Sequence, residues 1–322
     1  MRNKLTRAVA ALFALSFGAC SQPSSTLPTD TVPVVHVKTD TVAIGLYGSI
    51  PYDTNTFYGQ VQLGTVNDPA IPEASGLAAS RAYPGMFWTH NDSGNPNTIF
   101  LLDSTGTKRA YFDVTGASNR DWEDIAVGPG PDPTKTYIYL GEIGDNNNKH
   151  QTSNIFRFPE PHDLLETSVY HGQTAPVEKI TFFYPDGPHN AETLMIDPVT
   201  KDLYVVSKGG QANVYCAAYP QRTDTIFTMK EPATLPLATL TAGDISLDGT
   251  EILMKNYGIV YYWKRGAGES VVSALLRTPR QEPYVPEEQG EAVCWSVRGD
   301  AFYVTSEVAN GIVPDFSVYR KK

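Results

Sequence analysis

Five times along the chain an acid stands directly before a short apolar run that ends in a turn. These are Glu73 in EASGLAAS, Glu123 in EDIAVGP, Glu192 in ETLMIDP, Asp244 in DISLDG and Glu291 in EAVCWSV. Carboxylates are the oxygen donors that hold hard divalent cations, and paired carboxylates can act as acid and base on a glycosidic bond. Two unit charges about 5 Å apart repel by roughly 3 kcal/mol at an effective dielectric near 20. Five carboxylates brought together would therefore have to protonate, bond to backbone or basic groups, or share a metal ion. Whether they come together depends on the elements that carry them.

The acids recur at spacings of 50, 69, 52 and 47 residues, each about the length of one propeller blade. Each is followed by a second apolar strand ending in small or polar residues: MFWTHNDSGN, YIYLGEIGDNNN, LYVVSKGG, EILMKNYG and AFYVTSEVANG. Third strands follow (TIFLLD, NIFRFPEP, NVYCAAY, IVYYWKR, FSVYRKK), and fourth strands precede the next acid (RAYFDV, EKITFFY, ATLPLATL, VVSALLR). The last unit lacks a fourth strand, which FYGQVQLG over 57–64 would supply, closing the ring without a bare sheet edge. Composition agrees, with 26 Gly and 24 Pro for the turns. The reading is all-β, a five-bladed β-propeller of four-stranded antiparallel blades closed by an N-terminal strand. DTVAIGLYGSI and the long second unit hold unplaced strands and leave six blades open, and EPHDLLETSVY reads as a short helix or a loop excursion.

In a propeller the first strand of each blade lines the central channel, so the five acids are expected to converge as a ring. Residues ending the second strands would surround it: His90, Asn91, Asp92, Glu142, Asp145, Asn146, Lys208, Lys255, Asn256 and Glu307. A divalent cation fits this donor set. Calcium accepts six to eight oxygens in flexible geometry, whereas zinc wants clustered His or Cys, and the six histidines form no such cluster. The five acids would supply its oxygens. The competing use is structural, each acid bonding to the backbone of the next blade.

Two functions follow. One is a binding or scaffold protein that holds a small molecule, glycan or envelope protein on this face, with Trp88, Trp122 and Tyr257 beside the acids. The other is a metal-dependent hydrolase of a phosphoester, phosphoanhydride, glycoside or lactone, with Glu142, Asp92, His90, His189 and Lys208 as catalytic candidates. No Gly-x-Ser-x-Gly elbow occurs, and NDSGN and GDNNN read as tight turns.

The start of the chain, MRNKLTR followed by an apolar stretch over 8–18, has the layout of a secretory signal. SFGAC resembles the lipobox of bacterial lipoproteins, with Phe17 where leucine is expected. This implies a signal over 1–19, lipidation at Cys20, a Ser/Thr/Pro-rich tether over 20–40 and one propeller domain over 41–322. The expected setting is the outer membrane or cell surface through the lipid anchor alone, as a monomer, with a secreted or periplasmic protein as the alternative. A formal net charge of −10 argues against nucleic acid and for cations or a neutral ligand. Cys216 and Cys294 sit in apolar strands and read as two buried thiols.

EASGLAASRAYPGMFWTHNDSGN, ASNRDWEDIAVGP, YLGEIGDN and AETLMIDPVTKDLYVVSK together resemble the blocks of a family of exported bacterial β-propellers that mostly lacks an assigned activity. The resemblance spans about residues 70–310 and implies the fold without a reaction. The order and spacing of the acids are also similar to those of the calcium-activated nucleotidases (apyrases), five-bladed propellers with calcium on the axis. That likeness implies calcium ligands at Glu73, Glu123, Glu192, Asp244 and Glu291, with Ser75 as a substitute for Glu73.

Overall fold

The computed structural model describes residues 41–322 except 163 and 165–168. The signal, the tether and Cys20 lie outside the described residues, as does much of EPHDLLETSVY. The described chain forms five sheets, each beginning at one of the apolar runs noted above. Blade one comprises Ala74–Ala79, Met86–Asn91, Thr98–Asp103 and Lys108–Asp113. Blade two comprises Trp122–Pro129, Thr136–Glu142, Ser153–Pro159 and Glu178–Phe183. Blade three comprises Ala191–Ile196, Leu203–Ser207, Ala212–Ala217 and Lys230–Leu235. Blade four comprises Ala242–Ile245, Glu251–Lys255, Val260–Lys264 and Arg280–Glu282. Blade five takes Ala292–Trp295, Ala301–Thr305 and Asp315–Arg320 from the end of the chain and Val61–Thr65 from its beginning. The first strands neighbour one another around the ring, which makes a five-bladed β-propeller.

The unplaced strands add edges to existing blades and make no sixth. Tyr170–Gln173 pairs in parallel with the outer strand of blade one, Phe227–Thr228 with that of blade two and Ala43–Ile44 with that of blade three. One strand assignment needs correcting. VVSALLR was read as the fourth strand of blade four, but Val271–Leu275 is a single helical turn, and the strand is Arg280–Glu282. The Ser270 hydroxyl accepts the Ser273 N–H as an N-cap, and Val271, Ala274 and Leu275, spaced three and four apart, are buried together. Local capping and burial overrode the β-branched residues that suggested a strand.

The core is divided among the seams between blades. Five buried clusters occur, one at each seam, and the cluster between blades five and one includes Leu77, Phe87, Phe100, Cys294 and Phe316. There the Phe87 ring lies 4.4 Å from Tyr303 and 5.2 Å from Phe316. The closing seam is thus packed like the others. It also has the tightest backbone approach. A Cβ added at Gly64, on the N-terminal strand of blade five, would stand 2.1 Å from the Thr105 carbonyl oxygen in a turn of blade one. Cys216 in blade three and Cys294 in blade five are free thiols; Cys294 is buried as expected, whereas Cys216 is half-buried.

Candidate functional site

The strand register decides how the five acids stand relative to each other. The last residues of the second strands pair with Ala74, Trp122, Ala191, Ala242 and Ala292, so these five positions are equivalent. Glu73 and Glu291 precede that position by one residue, Glu123 and Glu192 follow it by one, and Asp244 follows it by two. The five acids therefore stand at three depths, and the expectation of a single ring of equivalent positions is corrected. Bulges after Trp122 and Ala191 separate the levels, and bulges leave no trace in the spacing of acids.

Asp244 belongs to the deepest level with Asp124. Asp124 accepts the N–H of Ile125 and, in blade three, of Leu194, both at 2.8 Å. Asp244 accepts the N–H of Ile245 and, in blade five, of Trp295, both at 2.8 Å. Each carboxylate clips its blade to the next, which is the structural use of an acid anticipated above. Burial pushes Asp244 up to about 7 against the lowering effect of these N–H groups. Ser75 has a similar part, its hydroxyl donating to the Glu123 carbonyl across the seam of blades one and two.

The two upper levels form an acidic mouth. Asp92, Asp121 and Glu123 present carboxylate oxygens within 4.8 Å of one another. Asp92 comes from the turn after the second strand of blade one, and Asp121 and Glu123 flank Trp122 at the entrance to blade two. Gly144, in the GEIGDN turn, brings the backbone against them. A Cβ there would lie 2.1 Å from Glu123 Oε1 and 2.6 Å from Asp121 Oδ2. Glu123 is 3% exposed, and its carboxylate stands against those of Asp92 and Asp121. Burial, then Glu192 and Asp92, hold its pKa well above the ordinary value. Burial and the neighbouring Asp121 push Asp92 up to about 6. Glu307, from blade five, rises to about 8 through burial and then Glu291.

On the other side of the mouth the charge is compensated. Lys208 Nζ lies 2.5 Å from Glu192 Oε2 and 3.6 Å from Glu291 Oε1, and donates to the Tyr257 hydroxyl at 2.7 Å. Tyr257 in turn donates to Glu291 Oε1 at 2.8 Å. Burial keeps Glu192 up at about 7 even with Lys208 beside it. Glu73 accepts a hydrogen bond from Asn95 and is half-buried. Lys255 is buried and donates to the Gly290 carbonyl, and burial pulls it down to about 8.

The catalytic candidates separate. Asp92 and Lys208 stand at the mouth. Glu142 is buried and accepts from Asn154 and from the Arg120 backbone. His90 is fully buried edge-on to Trp122, its ring pulled down to about 4 by burial and so neutral. His189 pairs with Asp186 at 2.8 Å and lines a cleft together with Lys208. Trp88 and Trp122 are core residues and only Tyr257 faces the acids, which corrects the aromatic set. Asp121 was missed as a ligand. It occupies the same register position as Glu73 and Glu291, visible only once the strands are paired.

No known protein family's sequence profile matches the chain, and no curated protein matches it. Among solved structures the chain is similar to the RRP9 WD40 repeats, at 8% identity over 76% of this chain and 79% of that one, with a TM-score of 0.41. It is also similar to U3-55K, at 8% identity over 77% of this chain and 67% of that one, with a TM-score of 0.38. Neither bears on the ligand.

Proposed function

We propose that this propeller binds a divalent cation, calcium, at its acidic mouth and uses it to hold a small-molecule, glycan or protein ligand at the cell envelope, where a lipid on Cys20 tethers the chain. The observation that carries the reading is Glu123. It is a buried carboxylate packed beside Asp92 and Asp121, at a place where only glycine fits the backbone next to it. Three carboxylates crowded this closely repel one another, and a cation would relieve that cost. The donors are all oxygens, with no thiol or free imidazole among the triad, which suits calcium rather than zinc. Three carboxylates supply up to six oxygens, and water or a ligand hydroxyl or carbonyl would complete the shell.

Calorimetric titration of the chelator-treated chain with calcium chloride tests this. One saturable site is expected. Glu123→Gln should weaken it by about tenfold or more, or ~1.4 kcal/mol, while making the metal-free chain harder to unfold. Absence of calcium binding, or a variant that binds as tightly as the parent, would overturn the proposal.

A further inference from the structure

The opposite end of the propeller has the reverse charge. Between blades four and five a cleft of about 470 Å³ is lined by Lys264, Arg277, Arg280, Lys321 and Lys322, with Glu251 as its one carboxylate. The whole chain has 35 acids to 25 Lys and Arg, so five cations around one acid is a local inversion. Mouth and cleft lie at opposite ends of the strands. The mouth sits where second strands end, whereas Glu251 begins the second strand of blade four and Lys264 ends its third.

The carboxylates near the cleft are already engaged. Glu251 accepts the Tyr262 hydroxyl at 2.7 Å and pairs with Lys321 through its other oxygen. Asp53, itself buried, holds Arg280 Nη1 at 2.9 Å, and Glu269 holds Arg277 through two bonds of 2.9 and 3.0 Å. Including Asp53, Glu269 and Asp248, which acts on Lys321, five cations still face four carboxylates. Glu282, buried behind them, adds little negative charge near neutrality, because burial and then Asp53 raise it to about 8. Asp53 and Glu269 fix the two guanidinium groups, whose side chains remain 58% and 50% exposed. Lys264 is exposed; its carbonyl accepts from Arg277 Nη2 at 2.6 Å, while its ammonium makes no ion pair among the described residues.

We propose that this cleft is an oxyanion site that takes a phosphate or sulfate group, and that it acts independently of the cation at the mouth. Guanidinium forks match tetrahedral oxyanions through paired N–H donors, while ammonium groups contribute mobile point charges. Arg277 and Arg280 are the oriented donors, and Lys264 and Lys322 supply charge at the rim. The group could arrive on a soluble molecule or on an anionic lipid, and the two sources are separable.

The test uses the full chain in three arms: calorimetry with inorganic phosphate, calorimetry with sulfate, and co-sedimentation with vesicles. The vesicles are phosphatidylcholine alone or equal parts phosphatidylcholine and phosphatidylglycerol. Saturable binding is expected in at least one anionic arm, weakening when sodium chloride is raised to screening levels. Lys264→Glu with Lys322→Glu should weaken it about tenfold while leaving calcium binding at the mouth unchanged. The single variant Lys264→Gln, at an exposed side chain, should show a smaller loss with an unaltered melting curve. Binding of phosphate or sulfate without vesicle binding assigns a free oxyanion, and binding to phosphatidylglycerol vesicles alone assigns a lipid headgroup. No saturable binding in any arm, or equal affinity in the double variant, would overturn the proposal whatever the calcium result.

Discussion

At the scale of single residues, the mouth holds two kinds of acid. Glu192 and Glu291 share Lys208, whereas Asp92, Asp121 and Glu123 have no comparable cation within the triad. Burial pulls Lys208 down, but Glu192, Tyr257 and Glu291 together raise it further, so it stays charged. It therefore opposes a cation placed among the neighbouring carboxylates. Lys208→Met should tighten calcium binding roughly five- to tenfold, or about 1 kcal/mol of removed repulsion, while destabilising the metal-free chain by leaving Glu192 and Glu291 uncompensated. Calcium titration paired with metal-free denaturation reads both signs. A variant that loses calcium affinity would make Lys208 a support for the site instead of a competitor.

At the scale of elements, the ring closes through a strand that begins the domain and pairs with the last strand of the chain. The pairing was legible because the fifth unit ends one strand short while an unpaired strand pattern precedes the first acid. The clasp across the seam was less legible, since Gly64 reads as an ordinary strand glycine. Its Cβ site is filled by the backbone of a turn in another blade. Gly64→Ala should therefore destabilise the fold by about 1–3 kcal/mol, the usual range for overpacking. Chemical denaturation measures this, and a loss below a few tenths would mean that the blade-one turn yields freely. The helical turn at Val271–Leu275 shows the opposite case. There a local β-rich composition misled, because Ser270 capping and apolar residues at helical spacing decided the backbone.

At the scale of the molecule, the acidic mouth makes stability depend on pH. Asp92, Glu192 and Glu307 have pKa values raised to about 6, 7 and 8, chiefly by burial. The folded chain therefore holds protons that the unfolded chain releases at ordinary carboxylate values near pH 4. Their contribution to stability is full below those values and is lost as pH rises through about 6 to about 8. Cation binding needs the ionised forms, so its stabilising effect should grow over the same window. Melting temperature with excess calcium and with chelator, followed from about pH 5 to about pH 8, should show the chelated curve falling and the two curves diverging. Parallel curves would mean that calcium acts elsewhere.

The sequence by itself determined the repeat, the closing strand and the concentration of acids at strand entrances, while the choice of five blades over six came from the structure. The first three follow from hydrophobic periodicity and turn chemistry, which act over short stretches of chain. Only the tertiary structure decided the depth of each acid. Two bulges shift Glu123 and Glu192 relative to Glu73 and Glu291, and Asp244 sinks to the level of Asp124, where backbone N–H groups of the next blade engage it. Asp121 joins Glu123 and Asp92 for the same reason. The cationic cleft was likewise invisible along the chain, because Lys264, Arg277 and Arg280 come from blade four and Lys321 and Lys322 follow the last strand of blade five. Periodicity tells which face a residue takes, while register and closure between distant strands set which side chains meet.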